Sequence, residues 1–148
     1  MAPREKPVVD LTAHCACGLV TLTVRGRIRS MFMCSCEDCQ RATGTGHSTV
    51  ALAAPSDVTI TGPTRSFARP AHSGASLTRW FCPDCGTPLY AQSSRAPDLL
   101  MLPVGLFGPG ADWFVPNQLI FARSHHDWDA IPDGLPMHAT YRNEDAIT

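Results

Sequence analysis

Three thiols, Cys34, Cys36 and Cys39, fall within the short stretch MCSCEDCQRATG. A Cys-x-Cys unit running into Cys-x2-Cys can wrap one side of a soft metal ion and leave the fourth tetrahedral position open. Buried core thiols need no such density. Ser35, Glu37 and Asp38 are poor company for a core. An iron–sulfur cluster normally takes four protein ligands, so here it would have to recruit a thiol from elsewhere in the chain. The chemistry expected at such a site is Lewis-acid or thiol chemistry at a metal with one free position.

The remaining four cysteines form two pairs, Cys15-Ala16-Cys17 and Cys82-Pro83-Asp84-Cys85. Together they suit a closed site of four thiolates. The pairs stand far apart in the chain, so a shared metal acts as a long-range cross-link. By analogy with disulfide loop closure, that cross-link is worth about 4 kcal/mol. Cys82-Pro83-Asp84-Cys85-Gly86 is a rubredoxin-like knuckle, in which Gly86 lets backbone amides approach the sulfurs. The competing reading is a redox dithiol. It requires a helix start after the motif, and Gly86-Thr87-Pro88 opposes one. An odd total of seven cysteines, with no export signal, weighs toward metal and away from a disulfide scaffold.

His47 follows Gly44-Thr45-Gly46, eight positions after Cys39. As a ligand it closes the second site and makes the protein a structural module. As a base it sits a hydrogen-bond length from an incoming sulfur or oxygen. His14, His72, His125, His126 and His138 read as surface or turn residues, and Glu37 and Asp38 as solvated charges. Trp80, Phe81, Trp113, Phe114 and Trp128 read as core or pocket wall.

The elements that must position these residues are short strands. Val20, Leu22 and Val24 alternate with polar neighbours, and a hairpin turn at Ala16-Cys17-Gly18 joins that strand to the Val9–His14 stretch. Ile28–Met33 delivers Cys34, Glu37–Thr43 suits a turn of helix, and Gly44 stops it. Further strands are expected at 49–53, 58–61, 65–68 (an edge), 77–81, 89–92, 99–104 and 119–122, with loop over 105–118. Thirteen prolines and eleven glycines, evenly scattered, agree with many strands and tight turns. The fold expected is all-β, mostly antiparallel packed sheets with zinc-binding knuckles and little helix. It comprises an N-terminal tail over 1–10, one domain over 11–140 and a C-terminal tail over 141–148.

The chain has 148 residues, with 12 basic against 13 acidic side chains and a formal charge of -1. That balance offers no basic stripe for nucleic acid, and no apolar run is long enough to span a membrane. With no signal peptide, a cytoplasmic protein is expected. Nothing in the chain sets an oligomeric state.

The segments HCACGLV, MCSCEDCQRATGTG, RWFCPDCGTPLY and DGLPMH closely resemble the glutathione-dependent formaldehyde-activating enzyme family, over about Leu11–His138. The resemblance implies Zn2+, two per chain. Cys15, Cys17, Cys82 and Cys85 would hold a structural zinc, and Cys34, Cys36 and Cys39 a catalytic one. It implies a carbon–sulfur lyase acting on S-(hydroxymethyl)glutathione, run in reverse to join formaldehyde to glutathione. The expected partners are a small thiol and a small aldehyde. The alternative is a non-catalytic two-zinc module that binds a protein or small-thiol partner. Two positions depart from the commoner pattern: Ser35, where many relatives have His, and His47, where many have an aromatic residue.

Overall fold

The computed structural model describes residues 5–142. The chain forms two compact units, one of Met1–Ser30 with Ala51–Trp113 and one of Met31–Val50 with Phe114–Thr148. In chain order the elements are β1 Val8–His14, β2 Thr21–Arg27, β3 Ser30–Cys34, α1 Glu37–Thr43, β4 Ser48–Ala53, β5 Val58–Thr61, β6 Arg65–Pro70, β7 Ser76–Phe81, β8 Pro88–Ser93, β9 Leu100–Pro103 and β10 Leu119–Ile120. The protein is mostly β-strand, as its spacing of prolines and glycines predicts.

In the first unit, β1 and β2 pair antiparallel from Val8 opposite Arg27 to His14 opposite Thr21, and β5 adds to β2 with Leu22 opposite Ile60. The alternation in β2 buries Leu22 and Val24 from one face, and Val9 and Ala13 from β1 share that face. Burying Leu22 and Val24 completely stabilises the fold by roughly 1.5–3 kcal/mol for each side chain. A second run of paired strands in this unit is β9-β8-β7-β6, with β6 at the edge. Trp80 and Tyr90 face each other across β7 and β8 and stack at 4.6 Å.

In the second unit the strand order is β10-β3-β4, and β10 pairs parallel to β3 with Leu119 opposite Met33 and Ile120 opposite Cys34. The DGLPMH segment runs beside β10: Leu119 donates to the Pro136 carbonyl at 2.9 Å, and His138 donates to the Leu119 carbonyl at 3.0 Å.

Three expectations are corrected. The last strand ends at Ile120, not Ala122, because the Phe121 and Ala122 amides turn to the carbonyls of Thr140 and His138. Phe121 then takes a left-handed conformation (φ 56) and a 3₁₀ turn follows over Ala122–Ser124. The 105–118 segment is not all loop. Val104–Ala111 winds into 3₁₀ turns broken at Gly108, a form whose three-residue bonds tolerate Gly and Pro and show no amphipathic period. Trp128 is not core or pocket wall but 70% exposed. In addition, β1 takes in Val8–Asp10, within the stretch expected to be tail, and residues 143–148 of the expected C-terminal tail lie outside the described residues.

Candidate metal centres and active site

The first centre is built from two chain reversals of the first unit. After β1, Gly18 at φ 79 donates to the Cys15 carbonyl at 3.0 Å, and Cys15 donates to the Val20 carbonyl at 3.0 Å. The turn thereby aims the Val20 amide at Cys15 Sγ, 3.3 Å away. After β7, Gly86 at φ 75 donates to the Cys82 carbonyl at 2.9 Å, and Cys85 directs its amide at Cys82 Sγ at 3.5 Å. Glycine is needed at both reversals because a side chain resists positive φ. Thr87 joins the two: its hydroxyl accepts the Ala16 amide at 3.1 Å and lies 3.2 Å from Cys85 Sγ.

The sulfurs of Cys15, Cys17, Cys82 and Cys85 lie within 4.8 Å of one another. Cys15 Sγ is 3.6 Å from Cys17 Sγ, and Cys17 Sγ is 3.7 Å from Cys82 Sγ. A tetrahedron of sulfurs around zinc, each bonded at about 2.3 Å, has edges of about 3.8 Å. The spacing fits such an ion and is far too long for a disulfide, whose bond is about 2.05 Å. Cys15 and Cys82 are fully buried with Val20 and Leu89, whereas Cys17 and Cys85 are exposed.

Hydrogen bonding divides these thiols. The Thr87 hydroxyl, then the Thr87 and Cys17 amides, pull the Cys85 thiol down to about 5. For Cys15, burial pushes upward, but the Val20 amide and the Cys17 and Cys82 thiols outweigh it and the net shift is downward. The Leu19 amide pulls Cys17 down, yet burial and the three neighbouring thiols hold it up at about 12. Crowded thiolates resist forming together, and a divalent cation removes that resistance.

The second centre belongs to the second unit. β3 ends at Cys34, Cys36 caps the N-terminus of α1, and Cys39 lies in the first turn of that helix. Cys36 Sγ accepts the Cys39 amide at 3.3 Å. The loop that spaces the thiols is therefore also the helix cap. Glycine stops the helix as expected. Gly44 sits at φ 72 and donates to the Gln40 carbonyl at 2.8 Å. Glu37 and Asp38 pair with Arg41 on the exposed face, the solvated role expected of them.

The sulfurs of Cys34, Cys36 and Cys39 also lie within 4.8 Å of one another. Cys34 is buried, and the other two are partly exposed, so the cluster is reachable from solvent. The Cys36 and Cys39 thiols, followed by burial, push Cys34 far above the ordinary thiol range. Cys39 is pulled down by the Cys34 thiol but held up at about 11 by Cys36 and burial, with the Ser48 hydroxyl lowering it in part. Three thiols this close favour a bound cation for the same reason as the first set. Ser35 between them is fully buried, and its Oγ finds no protein partner.

His47 does not join the three sulfurs as a fourth donor. Its Nδ1 lies 2.7 Å from Asp129 Oδ2, with the His47 side chain 20% and the Asp129 side chain 10% exposed. Asp129 also receives His125, whose Nε2 is 2.7 Å from the Asp129 carbonyl oxygen. Gln40 ties this region to the cysteines: its amide donates to the carbonyls of Ser35 at 2.9 Å and Ser124 at 3.0 Å. Its oxygen accepts from His126 Nε2 at 2.9 Å, and His126 stacks on Trp128 at 5.0 Å.

Asp129 and Gln40 are not among the residues singled out in the sequence; His126 is exposed, as expected of a surface residue, but His125 departs from that expectation. His125 is in fact largely enclosed, with 16% of its side chain exposed. The one available signal was the density of polar and aromatic residues in His125-His126-Asp127-Trp128-Asp129. His14 and His72 stay exposed and outside both cysteine sets, and His138 lies beside β10.

A small β-sheet protein that gathers its cysteines into a set of four and a set of three, each able to hold a metal ion, defines a candidate two-metal thiolate protein. Its family follows from the sequence. The glutathione-dependent formaldehyde-activating enzyme family matches residues 10–124, and the chain belongs to it. A crystal structure of a Rhodobacter sphaeroides protein, a structural genomics target, is similar in fold, with a TM-score of 0.53 at 20% identity. That similarity covers 67% of this chain and 89% of the other. No curated protein matches the chain.

Proposed function

We propose that this chain is a zinc-dependent enzyme of the carbon–sulfur lyase type that joins formaldehyde, or a related small aldehyde, to glutathione or another small thiol. Two zinc ions per chain fit the donor sets. Cys15, Cys17, Cys82 and Cys85 would hold the structural one, and Cys34, Cys36 and Cys39 the catalytic one. The observation that carries the reading is the second set: three sulfurs converge, and His47, the residue that could have closed the site, stands outside them with its Nδ1 on Asp129. Zinc held by three thiolates supplies a free position that lowers the pKa of an entering thiol.

The chain's own residues do the rest. Cys34, Cys36 and Cys39 hold and tune; they do not attack. His47, bonded to Asp129 through Nδ1, has Nε2 left to accept the thiol proton. As the carbon–sulfur bond forms, the aldehyde C=O becomes a hydroxyl by taking up one proton. The product contains every atom of thiol and aldehyde, and nothing is oxidised or reduced. Ser35, whose buried Oγ has no partner, is the residue we assign to donate to a ligand sulfur when the metal is bound. Seven free thiols in two metal-ready sets suit a reducing compartment, and we assign the protein to the cytoplasm.

The test is adduct formation between glutathione and formaldehyde, followed by exchange-resolved proton spectra because the uncatalysed reaction is itself fast. Wild-type protein should accelerate exchange, and Cys36→Ser should not. Equal rates with both proteins would leave a two-zinc binding module.

A further inference from the structure

We infer that Asp129 is a positioning residue that fixes His47 in the Nδ1–H tautomer and leaves Nε2 as its acceptor nitrogen. His47 Nδ1 and Asp129 Oδ2 are 2.7 Å apart. A carboxylate only accepts, so that contact requires the proton on Nδ1. In the neutral ring, a proton on Nδ1 leaves Nε2 as the acceptor. The inference rests on the proposed function for its use in catalysis, and on geometry alone for the tautomer.

Three further observations show that the carboxylate is held in place. First, the segment carrying Asp129 is closed on itself. Its amide donates to the His126 carbonyl at 3.0 Å, and its own carbonyl receives His125 Nε2 at 2.7 Å. Second, His125 Nε2 lies a further 3.7 Å from Asp129 Oδ2, so the ring flanks the same oxygen that His47 binds. Third, Gly46 makes room for it. A Cβ at that position would stand 2.5 Å from Asp129 Cγ and 2.6 Å from Oδ2, closer than atoms approach. Gly46 is not among the glycines at positive φ, so space and not backbone strain is what a side chain there would violate. His47 lies outside the three-sulfur set although it follows Cys39 closely in the chain, and its Nδ1 meets a partner 82 positions away.

The arrangement carries its own internal contrast. His125 faces a carbonyl through Nε2, so in its neutral form it holds its proton on Nε2, opposite to His47. Two histidines on one aspartate are thus expected in opposite tautomers.

The experiment uses zinc-loaded protein labelled with 15N in histidine and two-bond proton–nitrogen correlation spectra at about pH 8.5, above the ordinary imidazole range. Signals are assigned with His47→Gln and His125→Gln. Wild type should show His47 protonated at Nδ1 and His125 at Nε2. Asp129→Asn should release the fixed tautomer of His47, keep the zinc content and slow adduct formation at least about tenfold. Gly46→Ala, which leaves both partners chemically intact, should produce the same spectral change by displacing the carboxylate. His47 protonated at Nε2 in wild type, or a His47 spectrum unchanged by both substitutions, would overturn the assignment. If wild type forms adduct no faster than Cys36→Ser, the enzymatic reading fails. A fixed Nδ1–H tautomer in the same samples would still support the role of Asp129, so the two failures are told apart.

Discussion

Cys17 and Cys82 stand 65 residues apart in the chain and bring their sulfur atoms to 3.7 Å. The contact joins the β1–β2 turn to the knuckle after β7, within one unit, and no disulfide accompanies it. A metal shared there acts on folding through the loop it closes. Cys82→Ser or Cys17→Ser should therefore cost about 2–5 kcal/mol or prevent folding, read by circular dichroism melts. A melting curve equal to wild type would show that the four-cysteine set does not staple this unit.

The second set should behave differently. Cys36→Ser removes a sulfur next to a seven-residue helix, in a unit whose β10, β3 and DGLPMH segment are joined by backbone bonds that do not involve the thiol. It should lose one metal equivalent and keep most of its stability, because serine is itself a favoured helix N-cap and can accept the Cys39 amide in place of the sulfur. Loss of fold equal to that of Cys82→Ser would make the second centre structural as well.

In metal-free protein the thiols should alkylate in a set order. Cys85 is exposed and drawn down to about 5, so it is thiolate at neutral pH and reacts first. Cys17 is also exposed but held up at about 12, so its rate keeps rising with pH long after that of Cys85 has levelled. Cys34, buried and pushed upward, reacts last. The sign for Cys85 follows from its lowered value: its ionisation favours the fold fully above the ordinary thiol range near 9, and that contribution is gone below about 5. Iodoacetamide labelling read by peptide mass spectrometry checks the order, and a Cys34 that reacts before Cys85 would contradict it.

Thr87 should matter beyond its size. Its hydroxyl is the largest influence lowering Cys85 and also accepts the Ala16 amide. Thr87→Val keeps the shape and removes the donor, so the labelling rate of Cys85 at neutral pH should fall in the metal-free protein. Thr87→Ser should restore it. No difference between Val and Ser would remove the hydroxyl from the account.

Local chemistry made the cysteine pairs, the Gly18 and Gly86 reversals, the α1 helix and the alternation of β2 legible in the sequence. Each depends on spacing within a few residues, where one residue type dictates one backbone form. The His47–Asp129 pair was not legible, because it spans 82 positions and neither residue sits in a motif. The same holds for the end of β10, where amides of Phe121 and Ala122 leave the ladder for the carbonyls of Thr140 and His138. The 3₁₀ turns over Val104–Ala111 carry Gly and Pro, which read as loop because they break both periodic patterns. Trp128 misled for another reason: an aromatic ring usually signals a core, and here it stacks on His126 at the surface.

The most direct test of the account is native mass spectrometry of protein purified without chelator, with and without added glutathione. The account predicts two zinc ions per chain, and one glutathione retained when it is supplied. It predicts that Cys36→Ser loses one zinc and the glutathione together, while the four-cysteine zinc stays. Iron with acid-labile sulfide, or a second zinc that takes up no thiol, would contradict it.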